Sequence, residues 1–371
     1  MLVGIPKEIK NHEYRVGMTP TSVREMTKHG HQVIVETNAG EGISASDDRY
    51  RKSGAEIVDT AEEVFARSEM IIKVKEPQAV ERARLHEGQI LYTYLHLAPD
   101  PDQTRDLINS GATCIAYETV TSPFGGLPLL APMSKVAGRM SIQAGAYCLE
   151  HPHGGLGMLL GGVPGVDPAK VVILGAGVVG NHAAHIAVGM GADVWILDIN
   201  TNALERHWQQ FGRTTNTIFS SSDSLEKHVL EADLVIGGVL IPGAEAPKLV
   251  TAEMVKNMKN GAVIVDVAID QGGCCETSHA TTHADPTYEV DNVVHYCVAN
   301  MPGGVPKTST YALNNATLPF ALKLADNGAK KALLEDDHLR NGLNIHRGQV
   351  TYKPVADDLE YEFVDPVTAL S

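Results

Sequence analysis

Between Lys170 and Asn200 the chain reads KVVILGAGVVGNHAAHIAVGMGADVWILDIN. No other stretch restricts the possible folds as much. From Val171 to Ala192 it carries no Asp, Glu, Lys or Arg, and by length alone it would admit a transmembrane helix. Three helix-weakening glycines at one end, and Asn181, His182 and His185 in the middle, argue against a span. The grammar is instead a β-branched strand (VVIL), a glycine turn, an Ala-rich helix, a second strand (VWIL) and an acid, Asp198. Gly175, Gly177 and Gly180 fall at G-x-G-x-x-G spacing. The first glycine permits the tight turn, the second admits a pyrophosphate to the backbone, and the third lets helix and strand pack closely. The helix N-terminus offers unpaired N–H groups and a partial positive charge to phosphate. Asp198, at the end of the second strand, suits both ribose hydroxyls and repels a 2′-phosphate, so NAD is favoured over NADP.

At 371 residues the chain exceeds what one hydrophobic core usually supports, so two domains are expected. A net charge of −15, with no basic cluster, opposes nucleic-acid binding. The opening Met1-Leu2-Val3-Gly4 runs straight into Pro6, Lys7 and Glu8, unlike a secretion signal. A cytoplasmic protein without membrane attachment is the expectation. The five cysteines, Cys114, Cys148, Cys274, Cys275 and Cys297, are odd in number and make a poor disulfide framework. CCETSHATTH, Cys274 to His283, raises a metal site, but adjacent cysteines rarely serve one ion without strain. A polar loop is favoured, and no metal is expected.

The first 125 or so residues alternate strands (MLVGIP, HQVIVE, MIIKVK, QILYTYL, ATCIAYE) with helices (SVREMTKHG, AEEVFARS, PDQTRDLINSG), the pattern of a parallel sheet. The loop SPFGGLPLLAP and the helical MSKVAGRMSIQAGAYCLEH lead to a second glycine-rich loop and the nucleotide unit, which continues through ADLVIGGVL and GAVIVDVAI. From Thr308 the pattern turns helical, in TYALNNATLPFALKLAD and AKKALLEDDHLRNGLN. The expected architecture is α/β, two Rossmann-like domains with parallel sheets and the active site in the cleft between them. A discontinuous substrate domain takes 1–128 and 307–371; a NAD-binding domain takes 129–306.

Ligands in open α/β sheets gather beyond the carboxyl ends of strands. Three side chains of the first domain fall there: Arg15, in KNHEYRVGMTP after the first strand; Lys75, closing MIIKVK; and His96, closing QILYTYL. Lys73 shares a face with Lys75, and Tyr92 and Tyr94 share one with His96, but Lys75 and His96 are terminal. The ordinary alternatives are a solvated surface cation and a histidine satisfied by its loop. On the second domain AVIVDVAI reaches Asp270, with Asp266 inside its strand serving structure, and YCVANMPG carries Asn300 to a Pro-Gly loop.

Together these residues resemble the alanine dehydrogenases over essentially the full length. GIPKEIKNHEYRVGMTP, IIKVKEP, YTYLHLA, APMSKVAGRMS, GAGVVG with Asp198, VDVAIDQGGC and VANMPGGVPKTST carry the likeness. The resemblance implies NAD-dependent, reversible oxidative deamination of L-alanine to pyruvate and ammonium, by a homo-hexamer. It implies that Arg15 and Lys75 bind the substrate carboxylate, that His96 is the acid–base group and that Asp270 assists at the reacting centre. The implied cofactor-binding set is Ser134, Gly175, Gly177, Val178, Val179, Gly180, Asp198, Ser220, Val239, Leu240 and Asn300. Asn181 and His182 depart from the family pattern after the last glycine, and Cys275 stands where an aromatic is usual. The rival readings are the soluble NAD(H)-binding component of a nicotinamide nucleotide transhydrogenase, a noncatalytic NAD-binding protein, and a 2-hydroxy-acid dehydrogenase.

Overall fold

Short runs of β-branched and aliphatic residues become strands buried on both faces, as a parallel sheet covered by helices requires. The computed structural model describes residues 1–239 and 246–371. Along the chain, β1 (Leu2–Ile5), β2 (Gln32–Glu36), β3 (Glu56–Val58), β4 (Met70–Ile72), β5 (Ile90–Thr93) and β6 (Thr113–Ala116) come first. Then follow β7 (Lys170–Leu174), β8 (Asp193–Asp198), β9 (Asn216–Phe219), β10 (Leu234–Gly237), β11 (Val263–Asp266), β12 (Thr287–Val290) and β13 (Val293–Tyr296), and finally β14 (Leu343–His346) and β15 (Gln349–Val350). The chain divides into two compact units, Met1–Met133 with Gly303–Ser371 and Ser134–Pro302.

In the first unit the sheet order is β15-β14-β6-β5-β4-β1-β2-β3. β1 to β6 are parallel, and β14 joins β6 antiparallel. β1 pairs with both β2 and β4, so the winding reverses at β1–β4, the topological switch point where such sheets bind ligands. Local signals set the helices between. Asp100 caps the helix Pro101–Ser110 by accepting from Gln103 N at 2.9 Å, and Gly111 ends it with φ +70°; the acid-then-proline start and glycine stop are the usual punctuation.

The second unit has the order β12-β13-β11-β10-β7-β8-β9, with β12 alone antiparallel. Its switch point is β7–β10, and the glycine run follows β7. The uncharged stretch from Val171 to Ala192 is a strand, turn and helix, and among the described residues no helix is long and apolar enough to cross a membrane. Val171, Val172, Ile173 and Leu174 are each at most 1% exposed, and burying such a side chain stabilises by roughly 1.5–3 kcal/mol.

Three sequence expectations are corrected. AKKALLEDDHLRNGLN is not one helix: it breaks at Asp336, which caps a short helix Asp337–Arg340, and Leu343 and Asn344 belong to β14. MIIKVK is strand only to Ile72, and AVIVDVAI only to Asp266, after which Val267–Gln271 forms a 3₁₀ turn. Asp266 caps its own turn through Ala268 N; beyond β4, Val74 N donates to the Glu8 carboxylate at 2.7 Å, and Lys73 is drawn into an ion cluster described below.

Candidate active site

In the first unit Arg15, Lys75 and His96 follow β1, β4 and β5, which are adjacent in the sheet order. The loop bearing Arg15 passes tightly over the end of β4: a Cβ added at Gly17 would lie 2.2 Å from Ile72 O. The returning helix Pro306–Asn327 holds this loop, with Asn314 accepting from Thr19 N at 2.7 Å and donating to Gly17 O at 2.9 Å.

Arg15 is not a solvated surface cation. It is 2% exposed, and Glu13 grips it, accepting from Nε at 2.7 Å and Nη2 at 2.5 Å. Nη1 reaches Met133 Sδ at 2.9 Å. Burial works against the charge, but the Glu13 carboxylate outweighs it and holds Arg15 above the ordinary arginine value.

The two lysines of this region differ. Lys73 has no exposed surface and donates to Glu8 at 3.0 Å and to Glu81 at 2.7 Å. Lys75 is half-buried, and among the described residues its ammonium has no hydrogen-bond or salt-bridge partner. Burial alone would raise the Glu76 carboxyl, but the charges of Lys75 and Lys10 hold it below the usual carboxylate range.

His96 has φ +50°, a left-handed conformation that a non-glycine residue adopts at a cost of order 1–3 kcal/mol. Glu118 offsets that cost by accepting from His96 N at 2.6 Å and from Leu95 N at 3.2 Å. Its Oε1 also lies 3.9 Å from His96 Nδ1. Tyr94 links the group: its ring stacks on His96 at 5.9 Å and 8°, its N–H reaches Val74 O at 3.2 Å, and its hydroxyl, pushed far up by burial, is drawn back by the Arg15 charge. Thr93 Oγ1 donates to Lys75 O at 3.0 Å. The Tyr92–Tyr94 segment thus ties Arg15, Lys75 and His96 to one region of the first unit.

In the second unit the nominated residues lie past the carboxyl ends of the parallel strands: Gly175 to Gly180 after β7, Asp198 closing β8, Ser220 after β9, Val239 after β10, Asp270 after β11 and Asn300 after β13. Leu240 lies outside the described residues. Ser134 is in the first turn of the helix Ala131–Cys148, half-buried. Asn300 has φ +61°, and its carbonyl is 3.2 Å from His283 Nε2.

The glycine turn fits a dinucleotide on its own geometry. Gly175 has φ +101°, and a Cβ at Gly180 would fall 1.8 Å from Gly175 O, so helix and strand approach closely. The helix Val178–Gly189 has no side-chain cap, and Val178 and Gly177 are exposed, leaving its first N–H groups for an anion. Asp198 accepts from Ala176 N through Oδ2 and from Asn200 N through Oδ1, each at 2.7 Å. One lone pair per oxygen remains for ribose hydroxyls.

Asp270 is exposed at the tip of its turn. Asp266, fully buried, anchors that turn by accepting from Ala268 N at 3.1 Å, Cys274 N at 2.9 Å and Cys275 N at 3.2 Å. Asp266, Cys274 and Cys275 form a grouping of potential metal ligands with their ligating atoms within 4.8 Å of one another. The Cys274 thiol, pushed up by Cys275 and by burial, donates to Asp266, so the cluster is closed by its own hydrogen bonds. The rest of CCETSHATTH is split, with His279 stacked on Tyr288 at 3.7 Å. Glu13, Glu118, Asn314 and Lys248, which donates to the carbonyls of Gly272 and Gly273, were not nominated from sequence. Glu13 alone has a local signal, two residues from Arg15.

The chain is similar to known proteins over both units. Residues 4–137 match the alanine dehydrogenase/PNT N-terminal domain and 141–353 its C-terminal domain. An alanine dehydrogenase of Halomonas elongata is 56% identical over 370 residues, covering 100% of both chains. A solved L-alanine dehydrogenase superposes with TM-score 0.93 at 52% identity, covering 97% of this chain and 99% of the other. A transhydrogenase from Sinorhizobium meliloti superposes with TM-score 0.80 at 26% identity, covering 95% and 99%. With both family domains matched in order along the chain, this protein belongs to the alanine dehydrogenase/PNT family.

Proposed function

We propose that this chain is a NAD-dependent alanine dehydrogenase, catalysing reversible oxidative deamination of L-alanine to pyruvate and ammonium. The observation that carries the reading is the placement of Arg15, Lys75 and His96 after three adjacent strands around a switch point. Identity of 56% and 54% to two alanine dehydrogenases along the whole chain, against 26% to the transhydrogenase, favours it over a nucleotide-binding component that oxidises no amino acid.

Arg15, held rigid by Glu13, and Lys75, a point charge, bind the substrate carboxylate inside a protein of net charge −15; a guanidinium fork and an ammonium together fix its orientation. NAD, when bound, would supply the hydride acceptor for the substrate Cα–H. Gly177, Val178 and Val179 would present N–H groups to its diphosphate, Asp198 would hold its ribose, and Asn300, Ser134, Ser220 and Val239 would complete the cofactor surface. His96 takes and returns protons as water adds to the substrate iminium and ammonia leaves, work suited to an imidazole. Asp270, an acceptor, holds the ammonium or the attacking water.

The discontinuous unit is thus the substrate-binding domain and Ser134–Pro302 the cofactor domain. The reading extends to a homo-hexamer working in the cytoplasm in alanine catabolism. Light scattering tests the assembly, with a mass six times the 39.7 kDa chain expected.

The deciding assay follows NADH consumption with pyruvate in the presence and absence of ammonium. Consumption that needs ammonium is expected. Consumption without it would mark a 2-hydroxy-acid dehydrogenase, and NADH binding with no turnover would mark a noncatalytic protein or a transhydrogenase component.

A further inference from the structure

The turn between β7 and its helix is held from two sides. On one, Asp198 Oδ2 accepts from Ala176 N. On the other, Asn181 folds its amide back from the helix, donating through Nδ2 to Ala176 O at 2.9 Å and to Gly177 O at 3.0 Å. Asn181 Oδ1 lies 2.5 Å from His207 Nδ1, and His207 Nε2 lies 3.1 Å from Thr215 Oγ1.

Chemistry sets the direction of every bond. An amide oxygen only accepts, so His207 Nδ1 carries the proton, and Nε2 then accepts from the Thr215 hydroxyl. His207 has no exposed surface, and burial, with the His185 charge, lowers its pKa to about 4. It therefore stays neutral, in the one tautomer this chain of bonds needs.

In a trans peptide the C=O and N–H point to opposite sides. Fixing the carbonyls of Ala176 and Gly177 toward Asn181 turns the N–H groups of Gly177 and Val178 the other way. Those two residues are exposed, and a Cβ on Gly177 would meet nothing within 4 Å, so the turn leaves room for a ligand beside them.

We propose that Asn181, supported by His207 and Thr215, is the positioning residue that orients the diphosphate-binding N–H groups of the glycine turn. This rests on the dinucleotide reading above and gives work to a residue that departs from the family pattern. Without the brace, each nucleotide bound would have to order these peptide groups itself, a cost that preorganisation removes.

The test is fluorescence titration with NADH, and its displacement by ADP-ribose and by adenosine, on the full chain. Asn181→Leu should weaken NADH and ADP-ribose about tenfold, the size expected for two lost hydrogen bonds, and adenosine less than about twofold. Asn181→Ser, whose hydroxyl can donate to the carbonyl four residues back, should regain part of the loss. Thr215→Val leaves Asn181 in place and should cost about two- to threefold in the same ligand pattern, which guards against a Leu variant that fails to fold. NADH affinity in Asn181→Leu within about twofold of the parent would overturn the proposal. So would equal losses for adenosine and NADH, the mark of general loosening. A parent that binds neither NADH nor ADP-ribose would overturn the dinucleotide reading itself.

Discussion

The two units share the order of a six-strand parallel core and its switch point but arm them differently. Past β1, β4 and β5 the first unit presents charged or titratable side chains, and its interior holds Glu8, Glu13, Arg15, Lys73 and Glu81, each nine-tenths or more buried. Past β7 and β8 the second unit presents backbone N–H groups and one carboxylate, and its buried polar side chains include the imidazoles of His207, His228 and His295 and the thiols of Cys274 and Cys275. A small charged substrate is gripped by few groups, so each must be a strong charge in a fixed place. A long dinucleotide is gripped by many weak donors, and backbone geometry supplies them. On the proposed reading, one sheet topology serves two kinds of recognition, and the interior of each unit follows from what it must hold still.

The largest expected effect separates the structural cation of the first unit, Lys73, from the proposed substrate-binding one, Lys75. Lys73→Met strands Glu8 and Glu81 in the core and should destabilise by about 3–5 kcal/mol, the usual result of breaking a buried ion cluster. Lys75→Met should change stability by less than about 0.5 kcal/mol while raising KM for pyruvate. Urea denaturation and steady-state kinetics on the two variants decide. Equal stabilities would erase the distinction between these neighbours.

Next in size, His96→Ala should lower kcat by about 10², typical of a lost general acid–base and equivalent to about 2.7 kcal/mol. NADH affinity should stay nearly intact, because the histidine belongs to the first unit and the glycine turn to the second. Undiminished kcat would remove His96 from the mechanism, and a large loss of NADH affinity would blur the division of labour.

What sequence made legible follows the range over which each signal acts. The glycine fingerprint and Asp198 are fixed by spacing within one βαβ unit, and they can be read directly. Arg15, Lys75 and His96 could be nominated because strand ends are local. Their supports could not: Glu118 reaches His96 from the end of β6, Asn314 pins the Arg15 loop from the returning helix, and Glu8 meets Lys73 across two strands. Alternation placed Lys73 and Lys75 on one face yet carried no sign that one would be fully buried. The apolar pattern of MIIKVK and AVIVDVAI likewise continues past Ile72 and Asp266, where the strands themselves end. β14 and β15 went unseen because LNIH and QV are too short to show a period.

The smallest expected effect, and the finest test of the contrast, is the opposite response of the two interiors to pH. In the first unit burial, reinforced by Glu13 and Glu81 and opposed by Lys73, raises Glu8 from 4.5 to about 7. The native state then binds the extra proton, so this contribution to stability is full below pH 4.5 and is lost as pH rises through about 7. In the second unit burial lowers His207 and His182 from 6.5 to about 4. Here the unfolded chain binds the extra proton, so the contribution is full above pH 6.5 and is lost as pH falls toward 4. Melting temperatures of parent, Glu8→Gln and His207→Phe across this range separate the two. Relative to the parent, Glu8→Gln should fare better near neutrality than in acid, whatever its absolute stability. His207→Phe should fare better in acid than near neutrality, because it lacks the imidazole that the unfolded chain protonates. Curves parallel to the parent's for both variants would mean that neither buried group titrates differently on folding, and the contrast between these two buried groups would lose its thermodynamic content.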